Sequence, residues 1–301
     1  MTELATDSLS EHSARRSLER AALIAGLPAD NAKLIRLGSN AVFRLDPTII
    51  ARVAPDVTAL PNAVKQIAVS RWLDAVGYPV TRASRIAQPI EADGRVVTFW
   101  ESIAPETTYA PIRQVAVLIR RLHELPPPPP SVQLPTLHPF GQFDVPLPTF
   151  EGLDPADAGY LRDRYAGARE QFAAATFPLG AGVIHGDANV GNVLVDGDGN
   201  PVLIDLDSFS IGPREWDLIQ TALFADRFGW HTAEEYQTFV EVYGYDITEW
   251  EGYEALADMR EVAMTAWISK KAATDEAAAG EAHKRIAAMR SGGSRRDWGA
   301  Y

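Results

Sequence analysis

The sequence predicts an α+β chain of two lobes: a small, mainly antiparallel β N-terminal lobe with one crossing helix, and a larger helical C-terminal lobe. Three observations predict it. The chain has 301 residues, more than a single domain of about 100–200 residues holds. Short apolar runs separated by turn residues crowd into the first hundred positions. Beyond Ile103 the apolar residues recur at helical spacing instead. The expected organisation is a flexible start at 1–12, an N-terminal lobe at 13–103, a C-terminal lobe at 104–290 and a flexible tail at 291–301.

Ala14, Leu18, Ala21, Ala22 and Ala25 line one face of a helix over Ser13–Ala25, which Gly26 and Pro28 stop. Strand-like runs follow at Lys33–Leu37, Ala41–Leu45 and Thr48–Val53, punctuated by Gly38-Ser39-Asn40 and Asp46-Pro47. Residues 62–76 read as an amphipathic helix with Val64, Ile67, Ala68, Leu73 and Val76 inward, ended by Gly77. Two further strands are expected near 84–90 and 95–100, around the turn Ala92-Asp93-Gly94. Pro111–Leu125 is a helix with Ile112, Val115, Leu118, Ile119 and Leu122 on its apolar face, and Pro126–Pro130 is a stiff extended spacer. Helices return near 155–176, 214–228, 232–243, 249–270 and 274–290.

Composition removes several classes of function. With no cysteine, disulfides, zinc–thiolate centres, iron–sulfur clusters and cysteine nucleophiles are excluded. No apolar run approaches the ~18 residues of a membrane helix, and Met1–Glu11 lacks the basic start of a secretory signal, so a cytoplasmic location and no membrane partner are expected. Residues 1–150 hold 15 Lys/Arg against 14 Asp/Glu, whereas residues 151–301 hold 13 against 26. That acidic second half disfavours nucleic acid, whose phosphates need a basic face, and suits a cationic ligand or metal ion.

The chemistry concentrates in Val183-Ile-His185-Gly-Asp187-Ala-Asn-Val-Gly-Asn192 and the segment after it. Val193–Val195 and Val202–Ile204 are two short β runs around a loop with two Asp-Gly steps, a strong hairpin signal. Strands of equal length bring Asn192 and Asp205 side by side at the open end of that hairpin. Asp187 lies five residues before Asn192. Two carboxylates and an amide are hard oxygen ligands of the kind Mg2+ takes together with substrate phosphates. Asp196-x-Asp198-x-Asn200 imitates a calcium loop, but Pro201 stands where such a loop needs glycine. Asp207 is either a further ligand or a solvated strand end.

The string His185-Gly-Asp187-x-x-x-x-Asn192, followed by a hairpin and Ile204-Asp205, resembles the aminoglycoside phosphotransferase family, over roughly residues 20–270. That family has the protein-kinase-like two-lobed fold and includes kinases for choline, homoserine, maltose and fructosamines. The resemblance implies a phosphotransferase that uses ATP (or GTP) and Mg2+ to phosphorylate a hydroxyl of a polar small molecule: an aminoglycoside, an amino sugar or a related hydroxylated amine. It includes enzymes that confer antibiotic resistance. It makes Asp187 the catalytic aspartate, His185 the brace of the catalytic loop, Asn192 and Asp205 the metal ligands, and Asp217 a structural prop of that loop. Gly38, Ser39 and Asn40 become the phosphate-covering turn, and Arg52 the basic strand residue that contacts the phosphates. Phe99, Trp100, Glu101 and Ile103 fall in the hinge that holds a purine. Glu254, Asp258 and Glu261, beside Trp250, Tyr253 and Trp267, are either a solvated helix face or a wall that binds a substrate amine.

One position departs from the pattern. Where the family's crossing helix offers a glutamate to pair with the basic strand residue, this chain has Gln66. Glutamine can hydrogen-bond Arg52 but cannot neutralise it, and Asp56 or Asp74 is the candidate to supply the charge. This departure motivates an alternative, a catalytically impaired nucleotide-binding pseudokinase acting as a sensor or partner-binding protein. The oligomeric state is left open.

Overall fold

Helix α1 (Glu11–Ala25) opens the described chain, residues 9–299 of a computed structural model. Ser10 caps it: its hydroxyl accepts the Ser13 N–H at 3.2 Å, and the Ser13 hydroxyl accepts the Ser10 N–H at 3.0 Å. The expected flexible start at 1–12 is therefore corrected at its end, because residues 9–12 already form the cap and first turn; residues 1–8 lie outside the described residues. Gly26 closes the helix at φ 70°, a left-handed conformation that glycine adopts without strain.

Five antiparallel strands follow in the order β1-β2-β3-β5-β4: β1 (Lys33–Leu37), β2 (Ala41–Arg44), β3 (Ile49–Val53), β4 (Ile90–Ala92) and β5 (Arg95–Glu101). Ala14, Leu18, Ala21 and Ala22 of α1 share one core with Phe43, Ala51, Val53, Val97 and Phe99. Leu18 and Phe43 are fully buried, which stabilises by about 1.5–3 kcal/mol each.

The strand expected at 84–90 does not form; only Ile90 belongs to β4. Pro89 cannot donate to a ladder, and the Gln88 side chain takes the ladder's place. Its Oε1 accepts the Phe99 N–H at 2.7 Å, and its Nε2 donates to the Phe99 carbonyl at 3.0 Å. The crossing helix α2 (Leu60–Ala75) is rotated from its expected setting, leaving Val64 and Val76 about half exposed. Its buried face runs through Ala63, Gln66, Ile67, Ser70 and Leu73. Two polar residues go inward because each finds a partner. The Ser70 hydroxyl donates to the Thr81 carbonyl at 2.7 Å and accepts the Ala83 N–H at 2.9 Å, and Gln66 bonds Arg52.

The chain divides into two compact units, and not at residue 103. The first runs to Pro111 and also takes Pro126–Leu134 and Val190–Phe209; the second takes Ile112–Leu125, Pro135–Asn189 and the chain from Ser210 onward. The hairpin of β7 (Val193–Val195) and β8 (Pro201–Leu203) thus groups with the sheet and not with the helices. Backbone pairing explains this. Val193 C=O accepts the Ala110 N–H at 2.9 Å, the Val195 N–H donates to Thr108 at 2.9 Å, and the Leu203 N–H donates to Pro79 at 3.0 Å.

The second unit holds α3 (Ile112–His123), α4 (Pro155–Ala174), the strand pair β6 (Ala181–Ile184) and β9 (Ser210–Pro213), α5 (Glu215–Asp226), α6 (Ala233–Tyr243), α7 (Tyr253–Ser269) and α8 (Glu276–Ser291). Helix α7 is central, packed against α4, α5 and α8, while α3 packs against α6. The tail expected to be flexible from 291 is held in its described part. Trp298 is 2% exposed, its carbonyl accepts from Trp230 Nε1 at 3.2 Å, and the Gly299 N–H donates to Glu281 at 2.9 Å. One aromatic anchor outweighs the Gly/Ser/Arg composition around it. No helix of the described residues is long and apolar enough to cross a membrane.

Candidate active site

In the helical unit, the loop after β6 is built on one carboxylate. Asp217 accepts the His185 N–H at its Oδ2 and the Gly186 N–H at its Oδ1, both at 2.7 Å. It is fully buried. Burial opposes its charge, but the hydrogen bond and charge of His123, followed by His185, outweigh that and hold the carboxyl below its usual range. His123 Nε2 lies 3.0 Å from Asp217 Oδ2, and its Nδ1 lies 2.8 Å from the Tyr243 hydroxyl. A carboxylate only accepts, so Nε2 carries the hydrogen. His185 is fully buried, and its Nδ1 accepts the Asp187 N–H at 3.3 Å. His185 thus braces the loop that carries Asp187, whose side chain is 43% exposed.

Sequence reasoning missed two supporting residues. His123 continues the buried stripe Ile112, Val115, Ile119, Leu122 of α3, and a polar group on such a stripe signals a buried partner. Arg260 likewise sits on the inward stripe of α7 with Leu256 and Ala257. Its Nη2 donates to Asp187 Oδ1 at 2.8 Å.

In the sheet unit, the β7–β8 ladder pairs Val193 with Leu203, and the Ile204 N–H donates to the Asn192 carbonyl at 2.9 Å. The residue opposite Asn192 is therefore Ile204, and the expected pairing with Asp205 is off by one position. Asp205 is the next residue, at φ 60°, a left-handed conformation that aspartate tolerates. Asn192 is 9% exposed, and the Asp205 side chain is 39% exposed. One amide and one carboxylate at the same hairpin end fit a hard divalent cation that completes its shell with phosphate oxygens and water. The calcium-like loop is spent on its own turn: Asp196 Oδ1 accepts the N–H groups of Asp198 and Asn200 at 2.9 and 2.8 Å.

Arg52 on β3 meets the departure at Gln66. Its Nη1 donates to Gln66 Oε1 at 3.0 Å, and its Nη2 lies 3.4 Å from both Asp205 Oδ1 and Asp207 Oδ2. The countercharge thus comes from the segment after β8. Asp56 instead caps a turn through the Thr58 N–H, at 2.8 Å, and Asp74 pairs with Arg82 at 2.8 Å, so neither supplies it. Lys65 fixes the same segment, its Nζ donating to the carbonyls of Asp207 and Phe209 at 2.5 and 3.2 Å. Asn40, Arg52, Gln66, Thr98 and Asp207 line a cavity of about 50 Å³, room for a few water molecules. Gly38 and Ser39 form the exposed turn beside Asn40, with the Gly38 N–H donating to the Asn40 carbonyl at 3.1 Å.

The expected hinge residues divide in two. Phe99 and Trp100 are buried strand residues. The Phe99 backbone is taken by Gln88 and Ser84, and Trp100 is paired with Ile50, so neither offers a purine its peptide edge. The Glu101 N–H donates to Arg82; within the described residues, the Glu101 carbonyl and the Ile103 N–H remain outside these pairings.

The acidic residues of α7 are not an open wall for a cation. Arg227 Nη1 lies 2.8 Å from both Asp258 and Glu261, and its Nη2 lies 2.5 Å from Glu254. Arg295 adds a second cation on Glu261 at 3.1 Å. Glu261, with its side chain 2% exposed, is a buried structural counterion, and the expectation that it binds substrate is corrected. Glu254 and Asp258 keep exposed edges, at 78% and 49%.

Sequence comparison with curated proteins returns no match. A family model described as the phosphotransferase enzyme family, APH, matches residues 32–257. Among solved structures, the amicoumacin kinase hAmiN in complex with AMP-PNP, Ca2+ and Ami shares 12% identity at a TM-score of 0.69, covering 94% of each chain. Spectinomycin phosphotransferase APH(9)-Ia, in complex with ADP and spectinomycin, shares 16% identity at 0.61, covering 90% of this chain and 94% of its own. A choline/ethanolamine kinase family protein from Mesorhizobium loti shares 19% at 0.60, covering 92% and 94%. At these identities the likeness is one of fold.

Proposed function

The chain belongs to the phosphotransferase enzyme family, and on that premise we propose that it moves the γ-phosphoryl group of ATP or GTP to a hydroxyl of a polar small molecule. The observation that carries this reading is the clamp of Asp217 on the His185 and Gly186 N–H groups. It spends a buried charge on fixing the loop that presents Asp187. Phosphoryl transfer depends mainly on placement and charge neutralisation, and this loop is built for placement.

Asp187 orients the acceptor hydroxyl and takes its proton. The hydroxyl oxygen forms the new P–O bond, the bond to the β–γ bridging oxygen breaks, and the nucleoside diphosphate leaves. Arg52 binds phosphate oxygens, with Gly38, Ser39 and Asn40 covering them, and the peptide edge of Glu101 and Ile103 receives the purine. Asn192 and Asp205 would hold Mg2+, which neutralises phosphate charge when bound. The unit that holds the sheet and the β7–β8 hairpin acts as the nucleotide-binding part, and the unit of helices as the part that carries Asp187 and receives the acceptor. Nucleotide complexes of similar folds, with AMP-PNP, ADP and GDP, support the donor class, and the spectinomycin and kanamycin in such complexes support a hydroxylated, amine-bearing acceptor. The pseudokinase alternative loses its motive, since Asp205 and Asp207 supply the charge that Gln66 lacks.

The test is a screen of hydroxyl compounds, aminoglycosides and amino sugars included, with ATP or GTP and Mg2+, followed by diphosphate release. Asp187→Asn lowers turnover by orders of magnitude while the melting temperature holds. Undiminished turnover in that variant refutes the role of Asp187.

A further inference from the structure

Resting on that reading, we propose that Arg260 is a positioning residue for phosphoryl transfer, which locks the carboxylate of Asp187 in its working orientation. The Asp217 clamp sets the backbone of the loop at His185 and Gly186. That clamp acts on backbone N–H groups and not on the Asp187 side chain. Arg260 restrains that side chain, because Nη2 donates to Asp187 Oδ1 at 2.8 Å, a charge-assisted bond that holds one carboxyl oxygen in place.

The guanidinium is itself held on several sides. Its Nη2 also bonds Gln220 Oε1, and its Nη1 lies 3.5 Å from the Gly186 carbonyl. Its face lies 4.7 Å from the Trp216 ring centroid, and Trp216 Nε1 donates to the same Gly186 carbonyl at 3.1 Å. Gln220 and Trp216 both come from α5, so two helices and the loop converge on one planar group.

Stability does not account for an arginine here. Arg260 is 6% exposed, and its Nε is buried without a partner among the described residues. Well-packed apolar residues of similar volume often do as well as a buried ion pair, or better. The arrangement suits preorganisation instead, in which orientation is settled before the reaction begins.

The probe is ATP hydrolysis with Mg2+ and water as acceptor, read as phosphate release from the full chain, with thermal melting alongside. Arg260→Ala should lower kcat about 100-fold, a loss that misplacement of this size produces, with KM for ATP within about threefold of the wild type. Added guanidinium should restore activity about tenfold in Arg260→Ala and do nothing for Asp187→Asn/Arg260→Ala. Should Arg260→Ala fail to fold, Arg260→Lys and Arg260→Gln carry the same criterion, with Lys the more active. A folded variant with unchanged kcat, or with a kcat loss that guanidinium does not relieve, overturns the proposal. If Asp187→Asn alone loses nothing in this assay, the functional reading itself fails, which separates the two outcomes.

Discussion

Asp217 Oδ2 lies 3.0 Å from His123 Nε2 while the same atom accepts the His185 N–H at 2.7 Å. These contacts hold the buried carboxyl below its ordinary range. A carboxyl depressed by folding contributes stability at pH values above its unfolded pKa of about 4, and that contribution is lost as pH falls through the lower folded value. Asp217→Asn should therefore cost about 3 kcal/mol or more at pH 7 and flatten the acid side of the stability curve. Chemical denaturation from pH 7 to pH 3 measures both.

Arg52 should matter more for nucleotide affinity than Gln66 does. Arg52→Ala is expected to raise the Kd for ATP about tenfold, equivalent to about 1.4 kcal/mol, by titration calorimetry. Gln66→Glu should change kcat less than about threefold, because Asp205 and Asp207 already face the guanidinium. A tenfold gain from that substitution would mean that glutamine impairs the enzyme.

Glu261 and Glu254 touch the same arginine and should behave differently. Removing the charge of Glu261, buried between Arg227 and Arg295, takes the carboxylate from Arg295 while Arg227 keeps Asp258 and Glu254, and should cost about 3 kcal/mol. Glu254→Gln, at an exposed carboxylate, should cost less than about 1 kcal/mol. Parallel urea melts distinguish the two.

Trp298 should be a stability determinant in a stretch rich in glycine, serine and arginine. The ring lies beside Phe228, with centroids 5.1 Å apart, and under the Arg285 guanidinium at 5.0 Å. Trp298→Ala is expected to cost about 3–5 kcal/mol, seen as a lowered melting temperature, with the sheet unit's nucleotide affinity unaffected.

Local chemistry was readable in the sequence and long-range pairing was not. The Asp-Gly steps predicted the β7–β8 hairpin, and the spacing of His185, Asp187, Asn192 and Asp205 was visible because turn and strand signals act over a few residues. The hairpin register still shifted by one, since the Ile204 N–H bonds Asn192. The strand expected at 84–90 failed because a side chain, Gln88, replaced backbone pairing. Arg260 drew no reading and Glu261 read as part of a solvated face or a substrate wall; their partners are Asp187, Arg227 and Arg295, distant in sequence and brought close only by helix packing. A charge lying on a buried stripe was the signal available, and its weight depends on knowing which stripe is buried.

The anchored Trp298 also decides how this molecule can be handled. Phe228 and the Arg285 and Arg295 guanidinium groups surround its ring, and the Gly299 N–H that follows donates to Glu281 of α8. Conditions that free the indole would therefore loosen α8 through Arg285 and Glu281, so hydrogen exchange at the α8 amides is an early warning of damage during storage.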